Sequence, residues 1–134
     1  MSSILVGVIS AQGLPNADWL DKSDPYCTVT MAGAEVVRTK VVNNDLNPVW
    51  NEEAHVKWDG RSELVFTVMD SDLISTHDKL GEYVLPVSTI RSGFKGTVQL
   101  SVDEKMKRQL RTSPTLKIKL APPDSNCCGG CSVM

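Results

Sequence analysis

Residues 63–82 read ELVFTVMDSDLISTHDKLGE, and two patterns meet inside them. Leu64, Phe66 and Val68 alternate with Val65, Thr67 and Met69, the period of two that a strand shows when one face packs on a core. Asp70 and Asp72 close that run. Two apart on a strand, their carboxylates project to one side and repel, and folded proteins keep such pairs mainly where a cation compensates them. Residues 70–80 then show no strand period. Hairpin loops usually run two to five residues, and longer ones tend to carry function.

The rest of the chain repeats the strand period. Short runs rich in Val, Ile, Thr and Leu recur between turn residues and helical periodicity is nearly absent, which predicts an all-β antiparallel sandwich or barrel. Eight strands are predicted, at approximately 4–10, 25–31, 35–42, 50–58, 63–70, 82–87, 96–102 and 114–120. Gly33 after Ala32, the stretch 43–48, Asp59-Gly60 and Ser92-Gly93 supply the turns. Leu116, Ile118 and Leu120 alternate with Lys117 and Lys119, so one face of that last strand is core as well. Residues 101–113 are irregular: Ser101 with Glu104 three residues on is a candidate capping box opening a short basic helix, against a plain solvated loop.

A length of 134 residues suits one domain. With 41% hydrophobic and 22% charged residues, the composition is that of a folded globular chain and not of a disordered one. No apolar run approaches the roughly 20 residues of a spanning helix, and the N-terminus carries no signal-peptide pattern, so the protein is expected to stay in the cytosol. A net charge of -2 lacks the diffuse basic field of a nucleic-acid binder, and no nucleic-acid partner is expected. The charge is sorted instead. Asp18, Asp21, Asp24, Asp70, Asp72 and Asp78 fall in two short segments, while Lys105, Lys107, Arg108 and Arg111 fall together further on.

A sandwich can bring the loops at 11–24 and 70–80 together at one end, placing Asp18, Asp24, Asp70, Asp72 and Asp78 around one cavity. Calcium accepts six to eight oxygens in flexible geometry, whereas magnesium demands a stricter octahedron, so calcium fits a loop cage better. An EF-hand starting at Asp70 fails: Ser75 stands where glycine is required and Gly81 where the bidentate glutamate belongs. The competing explanation is that aspartates simply populate exposed turns.

Three segments, LPNADWLDKSDPY at 14–26, NPVWNE at 47–52 and VMDSDLISTHDKLGE at 68–82, resemble the hallmark segments of C2 domains, and the resemblance covers about residues 3–120. It implies an eight-stranded Greek-key β-sandwich, here expected over residues 1–120 with a tail at 121–134. It implies that Asp18, Asp24, Asp70, Asp72 and Asp78 ligate roughly two or three calcium ions. Ser75 matches a side-chain ligand of the outermost ion, and the carbonyls of Ala17 and Ser71 match main-chain ligands. The chain begins at the strand before the first calcium loop and ends with an extra strand, which resembles the type II circular arrangement of phospholipases and novel protein kinases C.

Trp19 and Leu20 in one loop, with Leu73 and Ile74 in the other, put large apolar residues at loop tips. Exposed there, they suit insertion between lipid headgroups, and the resemblance assigns them that role; the alternative is that they fold back on the sandwich edge. Filling the loops with calcium would convert repulsion of anionic phospholipid into attraction, an electrostatic switch in which calcium and lipid raise each other's affinity. The lysine-rich strand of phosphoinositide-binding C2 domains is missing, because EVVRTKVV at 35–42 offers only Arg38 and Lys40.

From Ala121 the composition turns to Pro, Gly, Ser and Cys. Cys131-Ser132-Val133-Met134 has the C-a-a-X form, and the terminal methionine favours farnesyl; an incidental cysteine-rich end is the alternative. A single lipid chain anchors only marginally, so palmitoylation of Cys127 or Cys128, the calcium loops or the basic residues 105–111 would supply a second signal. Cys27, inside an apolar strand, is expected to be a buried hydrophobe. His55 and His77 have no partner suggesting catalysis, and no nucleophile, base and oxyanion donor assemble, so no enzyme is expected. The expected function is a monomeric calcium sensor or membrane adaptor on the cytoplasmic face, at the plasma membrane. A calcium-independent protein-interaction scaffold, with an unidentified protein partner and a lipidated anchor, is the alternative.

Overall fold

A computed structural model of the chain describes residues 2–16, 23–71, 78–108, 110 and 112–123. Among the described residues, eight strands form two four-stranded antiparallel sheets. The first sheet has the order β4-β1-β8-β7, built from β1 (Ser2–Gln12), β4 (Val49–Trp58), β7 (Phe94–Gln99) and β8 (Thr115–Ala121). The second has the order β3-β2-β5-β6, built from β2 (Pro25–Met31), β3 (Ala34–Arg38), β5 (Leu64–Asp70) and β6 (Asp78–Leu85). Two short helices, α1 (Val87–Ser92) and α2 (Glu104–Lys107), lie in connections.

The period of two holds the sandwich together. Leu64, Phe66 and Val68 of β5, with Leu116, Ile118 and Leu120 of β8, are buried as the alternation predicts, and they meet Ile4, Val6 and Val8 of β1 in one core. Cys27 is buried and free, and burial pushes its thiol far above the ordinary range, so it is an inert packing group. Among the described residues no helix is long and apolar enough to cross a membrane.

Several boundaries differ from the sequence reading. The third strand stops at Arg38 instead of reaching 42, because a side chain replaces the ladder: the Thr39 hydroxyl accepts from the Cys27 N–H at 2.9 Å, while the Thr39 N–H donates to the Cys27 carbonyl at 2.9 Å. β6 begins at Asp78, four residues earlier than expected, after a bulge between Val68 and Met69 resets its register. Predicted strand residues 100–102 lie outside β7, with Ser101 held to Glu82 in an isolated bridge. The basic helix exists, but Ser101 does not cap it; Asp103 does, accepting from the Met106 N–H at 3.0 Å.

Candidate metal centre

Strand direction decides where the acidic residues go. β1 runs toward the first long loop, β2 leaves from it, β5 runs toward the second, after Asp70, and β6 returns from it, so both loops share one end of the sandwich. Register then fixes the neighbours: Pro25 pairs with Asp70, and Asp70 pairs with Asp78. Asp24, Asp70 and Asp78 therefore stand on three adjacent strand ends.

Asp70 is only 2% exposed. A carboxylate so deeply placed is costly unless hydrogen bonds or positive charge compensate it. One compensation is local: the Asp24 N–H donates to Asp70 Oδ1 at 2.8 Å. The Asp24 carbonyl accepts from the Ser71 N–H at 2.9 Å, which ties the start of β2 to the exit of β5. Asp24 Oδ1 accepts in turn from the Asn44 N–H at 2.6 Å. Asn44 reaches it from a left-handed conformation, φ 57°, that asparagine tolerates better than most residues.

The loops are pinned at their bases. The Ser23 hydroxyl, fully buried, donates to the Pro15 carbonyl at 3.2 Å and closes the first loop across eight positions. Asn47 Oδ1 accepts from the Gly13 N–H at 2.9 Å, while the Asn47 N–H donates to Asp45 Oδ1 at 2.8 Å. Asp45 N–H, in its turn, donates to the Ser23 carbonyl at 3.0 Å. Residues 43–48 thus act as a latch on the first loop, a role the sequence reading missed when it took them for a turn. Two Asn residues and an Asn-Pro pair between strands were the available signal.

Of the expected ligands, the structure brings Asp24, Asp70 and the Asp78 backbone together. Asp18, Asp72, Ser75 and Ala17 lie outside the described residues, as do Trp19, Leu20, Leu73, Ile74, His77, Cys127, Cys128 and Cys131. Among the described residues no group of three or more metal-ligating side chains is assembled. The donor set that is described suits a hard cation: two carboxylates at adjoining strand ends, one buried, and Asn16 Oδ1, buried at the entry to the first loop without a hydrogen-bond partner among the described residues.

The C2 domain family profile matches residues 2–112. Human Ras GTPase-activating protein 4B is 32% identical over 140 aligned positions, covering 99% of this chain and 17% of its own length. A calcium-dependent lipid-binding protein of Arabidopsis thaliana is 30% identical over 118 positions, covering 87% of this chain and 22% of its own length. The chain thus spans about a fifth of the curated relatives it matches. Among solved structures, a C2 domain of plant extended synaptotagmin 1 superposes with a TM-score of 0.76 at 23% identity, covering 93% of this chain and 97% of that one. With its two four-stranded sheets and its family profile spanning both long loops, the chain belongs to the C2 domain family.

Proposed function

We propose that this chain is a calcium-dependent module that binds anionic phospholipid membranes without catalysing a reaction. The buried Asp70 carboxylate, hydrogen-bonded to the N–H of Asp24 just before β2 and paired in register with Asp78, is the observation that carries the reading. Asp18, Asp24, Asp70, Asp72, Ser75 and Asp78 would hold the ions, which supply positive charge and open coordination positions for lipid phosphate oxygens. The name of the Arabidopsis relative, a calcium-dependent lipid-binding protein, agrees with this chemistry. The last strand, β8, lies between β1 and β7, which supports a type II arrangement. Residues 1–120 form the proposed domain and 121–134 its tail; the module acts as a monomer at the cytoplasmic face of the plasma membrane.

Cosedimentation with phosphatidylserine vesicles tests the reading directly. Sedimentation in calcium and release in EGTA are expected; equal sedimentation in both would favour the calcium-independent scaffold. Trp19→Ala with Ile74→Ala should weaken the calcium-dependent sedimentation, each tip contributing at most about 1.5–3 kcal/mol, and leave calcium affinity in solution unchanged. Wild-type sedimentation of that double variant would show that the tips do not insert.

The tail is proposed as a second, calcium-independent signal, with Cys131 farnesylated and Cys127 or Cys128 acylated. Cys131→Ser should leave resting cells with a soluble pool that a calcium rise still recruits. A Cys131→Ser protein that stays on resting membranes, or an unmodified Met134 found by mass spectrometry of the native protein, would dismiss prenylation.

A further inference from the structure

The outer face of the first sheet carries polar groups that the calcium loops do not use. Between Val8 and Ser10 the register of β1 shifts against both neighbours, and against β8 β1 carries the extra residue, so that two of its residues oppose one of β8. The extra residue resets the alternation. Without it Ser10 and Gln12 would point into the core and Ala11 outward; with it Ala11 is buried and Ser10 and Gln12 join the outer face.

Register then lines up rows across three strands. Ser10 of β1, Lys117 of β8 and Thr97 of β7 form one row; Gln12, Thr115 and Gln99 form the next, nearer the loops. Ser10, Gln12, Thr97, Thr115 and Lys117 line a hollow of about 190 Å³ floored by Ala11. On the other side of Lys117, Lys119 and Lys95 stand directly opposite each other, a like-charge pair that costs stability where nothing neutralises it. Lys119 Nζ reaches Glu53 at 3.1 Å across Gly7, where a Cβ would come within 3.2 Å of Lys119 Cβ. Among the described residues, none of the ion pairs engages Lys95 or Lys117.

Hydroxyl and amide groups beside Lys117, with Lys95 at the rim and Lys119 offset by Glu53, form a hollow that donates hydrogen bonds and carries excess positive charge. We propose that this hollow binds a phosphomonoester, presented as the headgroup of a phosphorylated lipid. Lys117 supplies the charge-assisted hydrogen bond, Ser10, Thr97 and Thr115 supply hydroxyl donors, and Lys95 supplies the surrounding field, since Glu53 offsets Lys119. The site is independent of calcium. It also lies on the sheet opposite the one containing β3, so the missing lysines at 35–42 do not bear on it. Position favours a lipid source: Gln12 ends β1 immediately before the first loop, so a domain docked by its loops holds the hollow beside the bilayer surface. The lipid source rests on the membrane reading above; the phosphate chemistry does not.

Two titrations of the full chain in EGTA separate these parts. Soluble inositol trisphosphate should shift the amide resonances of Ser10, Gln12, Thr97, Thr115 and Lys117, and phosphatidylcholine vesicles carrying phosphatidylinositol 4-phosphate should sediment the protein better than phosphatidylserine vesicles of equal charge. Lys117→Gln, an exposed substitution, should weaken both by about tenfold or more. Lys57→Gln, at the far end of β4 on the same face, should change neither. No resonance shift with the soluble headgroup, or equal binding of it by wild type and Lys117→Gln, would overturn the site. Binding of the soluble headgroup without the vesicles would overturn the lipid source. Failure of calcium-dependent sedimentation alone would sink the calcium reading and leave this site standing, since both titrations exclude calcium.

Discussion

Asp70→Asn will weaken calcium binding by at least about a hundredfold, roughly 2.7 kcal/mol, while the domain stays folded. The substitution removes one charge from the cluster, and calcium sites tune affinity over orders of magnitude through the number of charged ligands. Asn Oδ1 can still accept from the Asp24 N–H, the bond that joins β2 to β5 at the base of the site. Relief of repulsion between Asp70 and Asp24 should hold or raise the urea midpoint in EGTA. Asp70→Ala is the informative contrast, because it strands that N–H and should cost about 1–3 kcal/mol of stability on top of the lost calcium. Calorimetric titration with calcium and urea unfolding in EGTA read the two effects separately. A wild-type calcium isotherm for Asp70→Asn would refute the assignment.

The contrast between those two variants also shows what could be read from the sequence. That Asp70 ends a strand is written in the alternation Leu64, Phe66, Val68, and its place at the loop end follows from antiparallel strand direction. What it touches was not legible. The Asp24 N–H and the Asn44 cap on Asp24 join residues 46 and 20 positions apart, and nothing local in either segment encodes such pairings. The same limit explains the strand edges. Val41 and Val42 extend the apolar run of EVVRTKVV, yet the ladder has already ended at Arg38, because the Thr39 hydroxyl takes over the Cys27 N–H. Asp78 and Lys79 read as loop because they are polar, although Lys79 pairs with Met69 in β6.

Helix α1 went unseen for a different reason. Its sequence, VSTIRS, is rich in β-branched residues and in serine, which are mediocre helix formers. Tertiary context supplies what propensity lacks: Ile90 is buried in the core, Pro86 sets an extended entry, and Gly93 ends the turn at φ 86°. The bulge at Val8 to Ser10 was equally invisible, since a run such as LVGVISAQ offers no mark for the extra residue.

Trp58 offers the second large effect, and it should be one of stability alone. This residue ends β4 opposite Ser2, at the end of the sandwich away from the loops, and it is 2% exposed. Its indole Nε1 donates to the Ser62 carbonyl at 2.7 Å, and the Arg91 guanidinium lies 5.9 Å from its ring while also donating to the Gly60 carbonyl at 2.9 Å. The turn that presents Ser62 is itself fixed by Asp59, whose carboxyl is held below the ordinary range by the Ser62 hydroxyl and by the Arg61 and Ser62 N–H groups. Trp58→Ala removes the ring, the hydrogen bond and the stacking surface together, and should cost about 3–5 kcal/mol, a large share of the roughly 5–15 kcal/mol that holds a domain folded. Trp58→Phe keeps an aromatic ring but leaves the Ser62 carbonyl without its donor and part of the site unfilled; a smaller loss, about 1–3 kcal/mol, is expected. Urea unfolding in EGTA measures both. The Phe variant stays folded in buffer, and its calcium isotherm should match wild type, because Trp58 and the metal centre stand at opposite ends of the sandwich. Reduced calcium affinity in Trp58→Phe at full folding would mean that the two ends of the sandwich are coupled and that the loops are not positioned by their own latches alone.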